Sequence, residues 1–169
     1  MKLPALLASC SCAGSLLAQT STPSAPPLEP ASPHRHEVEE RGDAGMGFSH
    51  RLTGHHFCLL PDGGAIAVAA NDPEDAKSRD AIRTHLAMIA GMFTEGNFSI
   101  PMFVHASVPP GAATMKELRS EITYDAERTE NGAQVTIRTR NPKAVEAIHQ
   151  FLRFQITDHH TGDPLEVRK

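Results

Sequence analysis

The chain has 169 residues, 40% of them apolar and only 5% aromatic, with no Trp and a formal net charge of −4. That length fits one domain, and a core of Ile, Val, Leu, Met and seven Phe suits a compact two-layer fold rather than a large enzyme with a second lobe. The mildly acidic balance excludes the basic footprint that nucleic acid requires, and equally a polybasic patch for a membrane surface.

Residues 1–18 read as a signal segment. Met1-Lys2 supplies a positive start, and Leu3 to Ala18 is uncharged and apolar or small throughout. The run is shorter and more interrupted than the ~20 apolar residues of a spanning helix, so no membrane span is expected. Cleavage after Ala18 would make the mature chain periplasmic or secreted. A second reading stays open: Leu7-Ala8-Ser9-Cys10 resembles a bacterial lipobox, which would make Cys10 a lipid anchor. Residues 19–44 are expected to form a disordered linker. Pro stands there at positions 23, 26, 27, 30 and 33 among Ser, Thr and Ala, and His34-Arg35-His36 with Glu37, Glu39 and Glu40 extends the polar stretch. The folded domain is placed at 45–169. Its single Cys, Cys58, has no internal disulfide partner and reads as a small buried apolar residue.

Two stretches of this domain share one pattern. In the first, His55 to Leu60 reads as a strand, Pro61-Asp62-Gly63-Gly64 as a turn, and Ala65 to Ala70 as a second strand. In the second, Leu118 to Arg128 is a strand, Glu130-Asn131-Gly132 a turn and Ala133 to Arg140 the return strand. The inward positions are Phe57, Leu59, Ile66 and Val68 in one hairpin and Ile122, Tyr124, Val135 and Ile137 in the other. Each hairpin runs into a helix start, Asn71-Asp72-Pro73-Glu74-Asp75 and Asn141-Pro142, where an Asx side chain can cap the free N–H groups. The first helix is predicted over 73–93 with Ile82, Leu86, Ile89 and Phe93 inward. The second is predicted over 142–159, stopping at Gly162, with Val145, Ile148, Leu152 and Ile156 inward. Two ββα units imply an α+β fold: a four-stranded antiparallel sheet with both helices on one face. The stretch 98–104 is a candidate fifth, edge strand.

The residues His55-His56-Phe57, Gly63-Gly64-Ala65-Ile66, Asn71-Asp72-Pro73, Gly96-Asn97-Phe98, Val108-Pro109-Pro110-Gly111 and Phe151-Leu152-Arg153-Phe154-Gln155-Ile156 resemble a family of uncharacterised exported bacterial proteins. Some of its members carry the label aspartate carbamoyltransferase. That label belongs to a longer, cytoplasmic enzyme with a Ser-Thr-Arg-Thr phosphate loop, and this chain has neither the loop nor the length. The resemblance implies an exported domain and no particular chemistry.

Ten His in a chain with one Tyr are the strongest chemical signal. His50, His55 and His56 enter the first strand, His159 and His160 close the last helix, and His85, His105 and His149 stand alone. Met88 and Met92 follow His85 on one helix face, and Met102 precedes His105 by three. Neutral imidazole with thioether suits copper, thioether favouring the reduced ion. The candidate metal ligands are His55, His56, Met102, His105, His159 and His160. Against them stand ordinary roles: Met as core filler, His at a helix C-terminus complementing the dipole, and no short metal signature. Gly-x-Ser-x-Gly is absent and Cys58 sits mid-strand, so no catalytic residue is assigned and an enzyme is not expected. The leading expectation is a periplasmic copper-binding or copper-buffering protein. The alternatives are a non-catalytic interaction or accessory module of the cell envelope, and a small enzyme or haem-binding protein. The outward side of the first hairpin, His56, Cys58, Leu60, Ala65, Ala67 and Ala69, is too apolar to face water. It is expected to be covered by the 97–115 segment, by a second copy in a homodimer, or by an envelope protein partner.

Overall fold

The computed structural model describes residues 33–168, all within one compact unit. The signal segment, Cys10 and the linker up to residue 32 lie outside the described residues. In chain order the elements are α1 (Pro33–Met46), β1 (Thr53–Leu60), β2 (Gly63–Ala70), α2 (Ala76–Thr94), α3 (Ser99–His105), α4 (Ala112–Glu117), β3 (Ile122–Arg128), β4 (Gly132–Thr139) and α5 (Pro142–Asp158). No helix among the described residues is long and apolar enough to cross a membrane.

The two hairpins join through their second strands. β2 pairs with β4, and the antiparallel order is β1-β2-β4-β3. Alternation sends Phe57, Leu59, Ile66, Val68, Ile122, Tyr124, Val135 and Ile137 to one side. There they share a core with Ile82, Leu86, Ile89 and Phe93 of α2 and Ile148, Leu152 and Ile156 of α5. The fold is therefore α+β, built of two ββα units with both long helices on one face. Asn141 caps α5 by accepting from the Lys143 and Ala144 N–H groups. For α2 the cap is Asp75, which accepts from Ser78 N–H, so the helix begins at Ala76 rather than Pro73. The residues before it form a turn in which Asp72 Oδ1 accepts from Glu74 N–H. Pro61-Asp62 is the whole loop of the first hairpin, since Leu60 pairs with Gly63. Gly64 is required there by close approach: a Cβ on it would lie 2.2 Å from Leu152 Cδ1. His149 of α5 locks the same turn, with Nε2 2.9 Å from the Leu60 carbonyl and 3.0 Å from that of Gly63.

Three expectations are corrected. Residues 33–44 are not linker but most of α1, with Val38 and Gly42 buried. This helix has almost no apolar stripe. Pairs one turn apart support it, Arg35–Glu39 at 2.8 Å and Glu37–Arg41 at 3.4 Å, and Arg41 Nε donates to the Val104 carbonyl of α3 at 2.8 Å. A helix polar all round can persist on such pairs and a tertiary anchor, neither of which leaves a hydrophobic period to read.

Residues 98–104 are not a strand. Pro101 falls in the first turn of α3, where a missing N–H costs nothing, and Pro101, Val104 and His105 share the buried side.

The 97–115 segment does not cover the outer side of the first hairpin, because α3 packs on α1 and α4 on α5. On that outer side Cys58, Leu60, Ala67 and Ala69 are half-buried and Ala65 is buried. Cys58 is thus a half-buried residue of this face, not a core residue. The residues after α5 run beside the edge of β1 instead. Asp163 accepts from Phe57 N–H at 2.9 Å, Val167 bridges Leu59, and Arg168 N–H donates to the Leu59 carbonyl.

Candidate functional site

Strand alternation decides the fate of the consecutive pair His55 and His56. Thr53, His55, Phe57 and Leu59 share the core side of β1, so His56 points to the other face. Its imidazole is two-thirds exposed and pairs with Asp163 at 3.0 Å. His55 points under the helices, into a cavity of about 80 Å³. Six elements close this space, β2 with the apolar Ile66 and Val68 and the other five with its polar and sulfur-bearing side chains. β1 supplies His55, α1 Met46, α2 His85, α3 His105, and the C-terminal end of α5 Gln155 and His159.

The rings form a row. His159 stacks at 6.2 Å on both His55 and Phe57, and His105 meets His159 edge-on at 4.9 Å. Phe48 stacks on His55 at 6.1 Å and meets His85 edge-on at 5.6 Å. At the outer end His55 Nε2 lies 3.2 Å from Met46 Sδ. At the inner end, His105 Nδ1 donates to Asp158 Oδ2 at 2.5 Å and its Nε2 lies 3.1 Å from Gln155 Oε1. The other Asp158 oxygen holds His34 of α1 at 2.9 Å. Asp158 thereby ties α1, α3 and α5 together.

Electrostatics follow from this dry setting. Burial pushes His55 down to about 4, with the neighbouring His85 and His56 adding to the shift. Burial alone lowers His85 to about 4. Burial lowers His159 to about 3, helped by His105 and His55. All three imidazoles are neutral at physiological pH, because burial outweighs the opposing pull of Asp43 on His55 and of Asp158 on His159. For Asp158 burial acts in the opposite direction, and the hydrogen bonds from His34 and His105 outweigh it, holding the carboxyl below its usual range. Two polar atoms of the lining, His85 Nδ1 and Gln155 Nε2, are buried without a hydrogen-bond partner among the described residues. Each such atom costs about 1–3 kcal/mol; in the core they are joined by the Tyr124 hydroxyl, which is also buried without a partner among the described residues.

Of the six residues read as candidate ligands, the fold brings three to the cavity: His55, His105 and His159. His56 lies on the opposite face of the sheet. Met102 is exposed on α3 and borders a different groove with Val108. His160 is exposed just beyond α5, in a left-handed conformation at φ 52. Among the described residues no group of three or more His, Cys, Asp or Glu is arranged to hold one metal ion. The residues not foreseen are Met46, His85, Gln155 and Asp158. His85 carried a signal in its spacing from Met88. Met46 carried none, since the helix that delivers it was read as linker. No protein-family model, curated protein or solved structure matches the chain.

Proposed function

We propose that this chain is an exported protein that binds copper(I) in the histidine cavity, with Met46 Sδ and His55 Nε2 as the first two donors and His159, whose ring stacks on His55 at 6.2 Å, as the third. The observation that carries this reading is the 3.2 Å approach of imidazole nitrogen to thioether sulfur inside an otherwise apolar space. In first-row metal sites such as zinc's, bonds to N and S are about 2.0 and 2.3 Å, which at a tetrahedral angle puts the two donors about 3.5 Å apart. The pair therefore needs to open by only a few tenths of an ångström. Thioether is the donor that favours the reduced ion, and imidazole suits copper among the first-row metals. Zinc or a hard cation would need the larger or anionic set that is missing among the described residues. Because His55 and His159 are already neutral at pH 7, no proton has to leave when the metal arrives.

The test is competition for Cu(I) between the full chain and a chromophoric chelator under reductant. One equivalent should bind, with affinity nearly constant from pH 8 to pH 6. His55→Ala and Met46→Leu should each weaken it by about a hundredfold or more, since even outer partners of a metal site are worth 10- to 100-fold. His56→Ala and Met102→Leu should leave it unchanged. Binding that is weak, of several equivalents, or equally sensitive to His56→Ala would sink the reading.

A second reading is favoured by the outer side of the first hairpin, where Cys58, Leu60, Ala67 and Ala69 stand half-buried. Small apolar side chains on a flat sheet face suit close contact with a second copy of the chain. Sedimentation velocity would find a dimer that Ala67→Glu dissociates. A monomer at all concentrations, with Cys58 freely labelled by a thiol reagent, would remove this reading.

A further inference from the structure

We infer that a surface hollow over α2 is the doorway through which Cu(I) enters the histidine cavity, with the exposed thioether of Met88 as its first, exchangeable ligand. The inference rests on the copper reading above and adds a route to it. The hollow is lined by Met46, Asp80, Ala81, Thr84, His85 and Met88. Two of these, Met46 and His85, also line the inner cavity. The spaces inside and outside are therefore separated by one thioether and one imidazole, both soft-metal donors.

The helix explains the placement. His85 and Met88 are three residues apart on α2, so they are neighbours on one face. His85 turns inward beside Leu86 and is 7% exposed, while Met88 is 45% exposed. An exposed Met contributes little to packing, and its unbranched, polarizable side chain is able to swing. His85 is the second observation. Its Nδ1 is buried and unpartnered among the described residues, and its ring lines both the hollow and the inner cavity. A soft cation captured by Met88 would pass to His85 or Met46 and then to His55 by successive ligand exchange. It would exchange one thioether or imidazole donor for another throughout, with no redox step.

The experiment follows the transfer of Cu(I) from its bicinchoninate complex to the full chain by stopped-flow absorbance, anaerobically. Met88→Leu keeps volume and apolarity and removes the sulfur; Met102→Leu is the same change at an exposed Met outside the route. Met88→Leu should slow loading on the order of tenfold, within the one to three decades over which association rates vary among mutants. Its stoichiometry and equilibrium affinity should stay within about twofold of the parent chain. Met102→Leu should load at the parent rate. Parent-rate loading of Met88→Leu would overturn the doorway while leaving the cavity site intact. Loss of equilibrium affinity in Met88→Leu would overturn it too, by making Met88 a resident ligand. A parent chain that takes no Cu(I) from the chelator would remove both the doorway and the site.

Discussion

The two ends of the space between sheet and helices are built from different rings. At one end Phe93 stacks on Phe98 at 4.5 Å, and Phe151 and Tyr124 meet this pair edge-on at 5.7 to 5.9 Å. At the other the rings are His55, His85, His105 and His159, and a cavity of about 80 Å³ remains among them. The three phenyl rings fill volume and ask for no partner; only the Tyr124 hydroxyl at this end is buried without one among the described residues. An imidazole of similar shape brings two polar nitrogens, and burying them unpaired is unfavourable unless something binds there. The aromatic end is therefore where close packing adds most to stability, while the imidazole end carries buried polar nitrogens and leaves space unfilled.

Acid should reveal the contrast most strongly. His55, His85 and His159 are held neutral in the fold, well below the ordinary histidine range. The unfolded chain therefore binds more protons between pH 6.5 and about 4, and stability must rise with pH across that window. It is complete above 6.5 and is lost as the pH falls towards 4. At about 1.4 kcal/mol per pH unit for each group, the loss by pH 4.5 is several kcal/mol and at most about 8 kcal/mol. Guanidinium midpoints measured from pH 7.5 to 4.5 check this, and His159→Phe should flatten the profile. A flat profile in the parent chain would mean that the imidazole end is not dry.

Truncating the aromatic end comes next. Phe93 and Phe151 are each 1% exposed, and Phe93→Ala or Phe151→Ala should cost about 3–5 kcal/mol in urea denaturation. The same change at His55 should cost much less and abolish copper binding. Equal losses at the two ends would erase the distinction.

His149 sharpens the contrast from another side, because it is a buried histidine whose Nε2 is satisfied, by the Leu60 and Gly63 carbonyls. His149→Ala should cost about 2–3 kcal/mol by leaving those carbonyls unpaired, with no effect on copper. A copper-binding defect would contradict the placement of the site. The smallest expected effect lies outside both ends: Asn141→Ala removes the α5 cap and should cost about 1 kcal/mol in thermal unfolding.

Much of the fold was legible because it is written in local patterns. Ile82, Leu86, Ile89 and Phe93 announce the buried side of α2, and Ile148, Leu152 and Ile156 that of α5. Asn141-Pro142 announces a helix start, and alternation in both hairpins assigns their faces. Where the local pattern is absent or ambiguous, the reading failed. α1 is stabilised by charge pairs and by Arg41 reaching a carbonyl of α3, so its composition resembles linker. In α3, the run Phe98 to Val104 has the bulky residues of a strand, and only docking on α1 makes it a helix.

The sequence by itself determined the α+β class, the two ββα units and the abundance of soft-metal donors, because period and capping act over a few residues. Only the tertiary structure decided which donors meet. His55 and His56 differ by one position and end on opposite faces of the sheet. Met46, His85, His105 and His159 come from four helices spread over more than a hundred positions of the chain. Their convergence depends on how those helices seat on one sheet, and no local period encodes that.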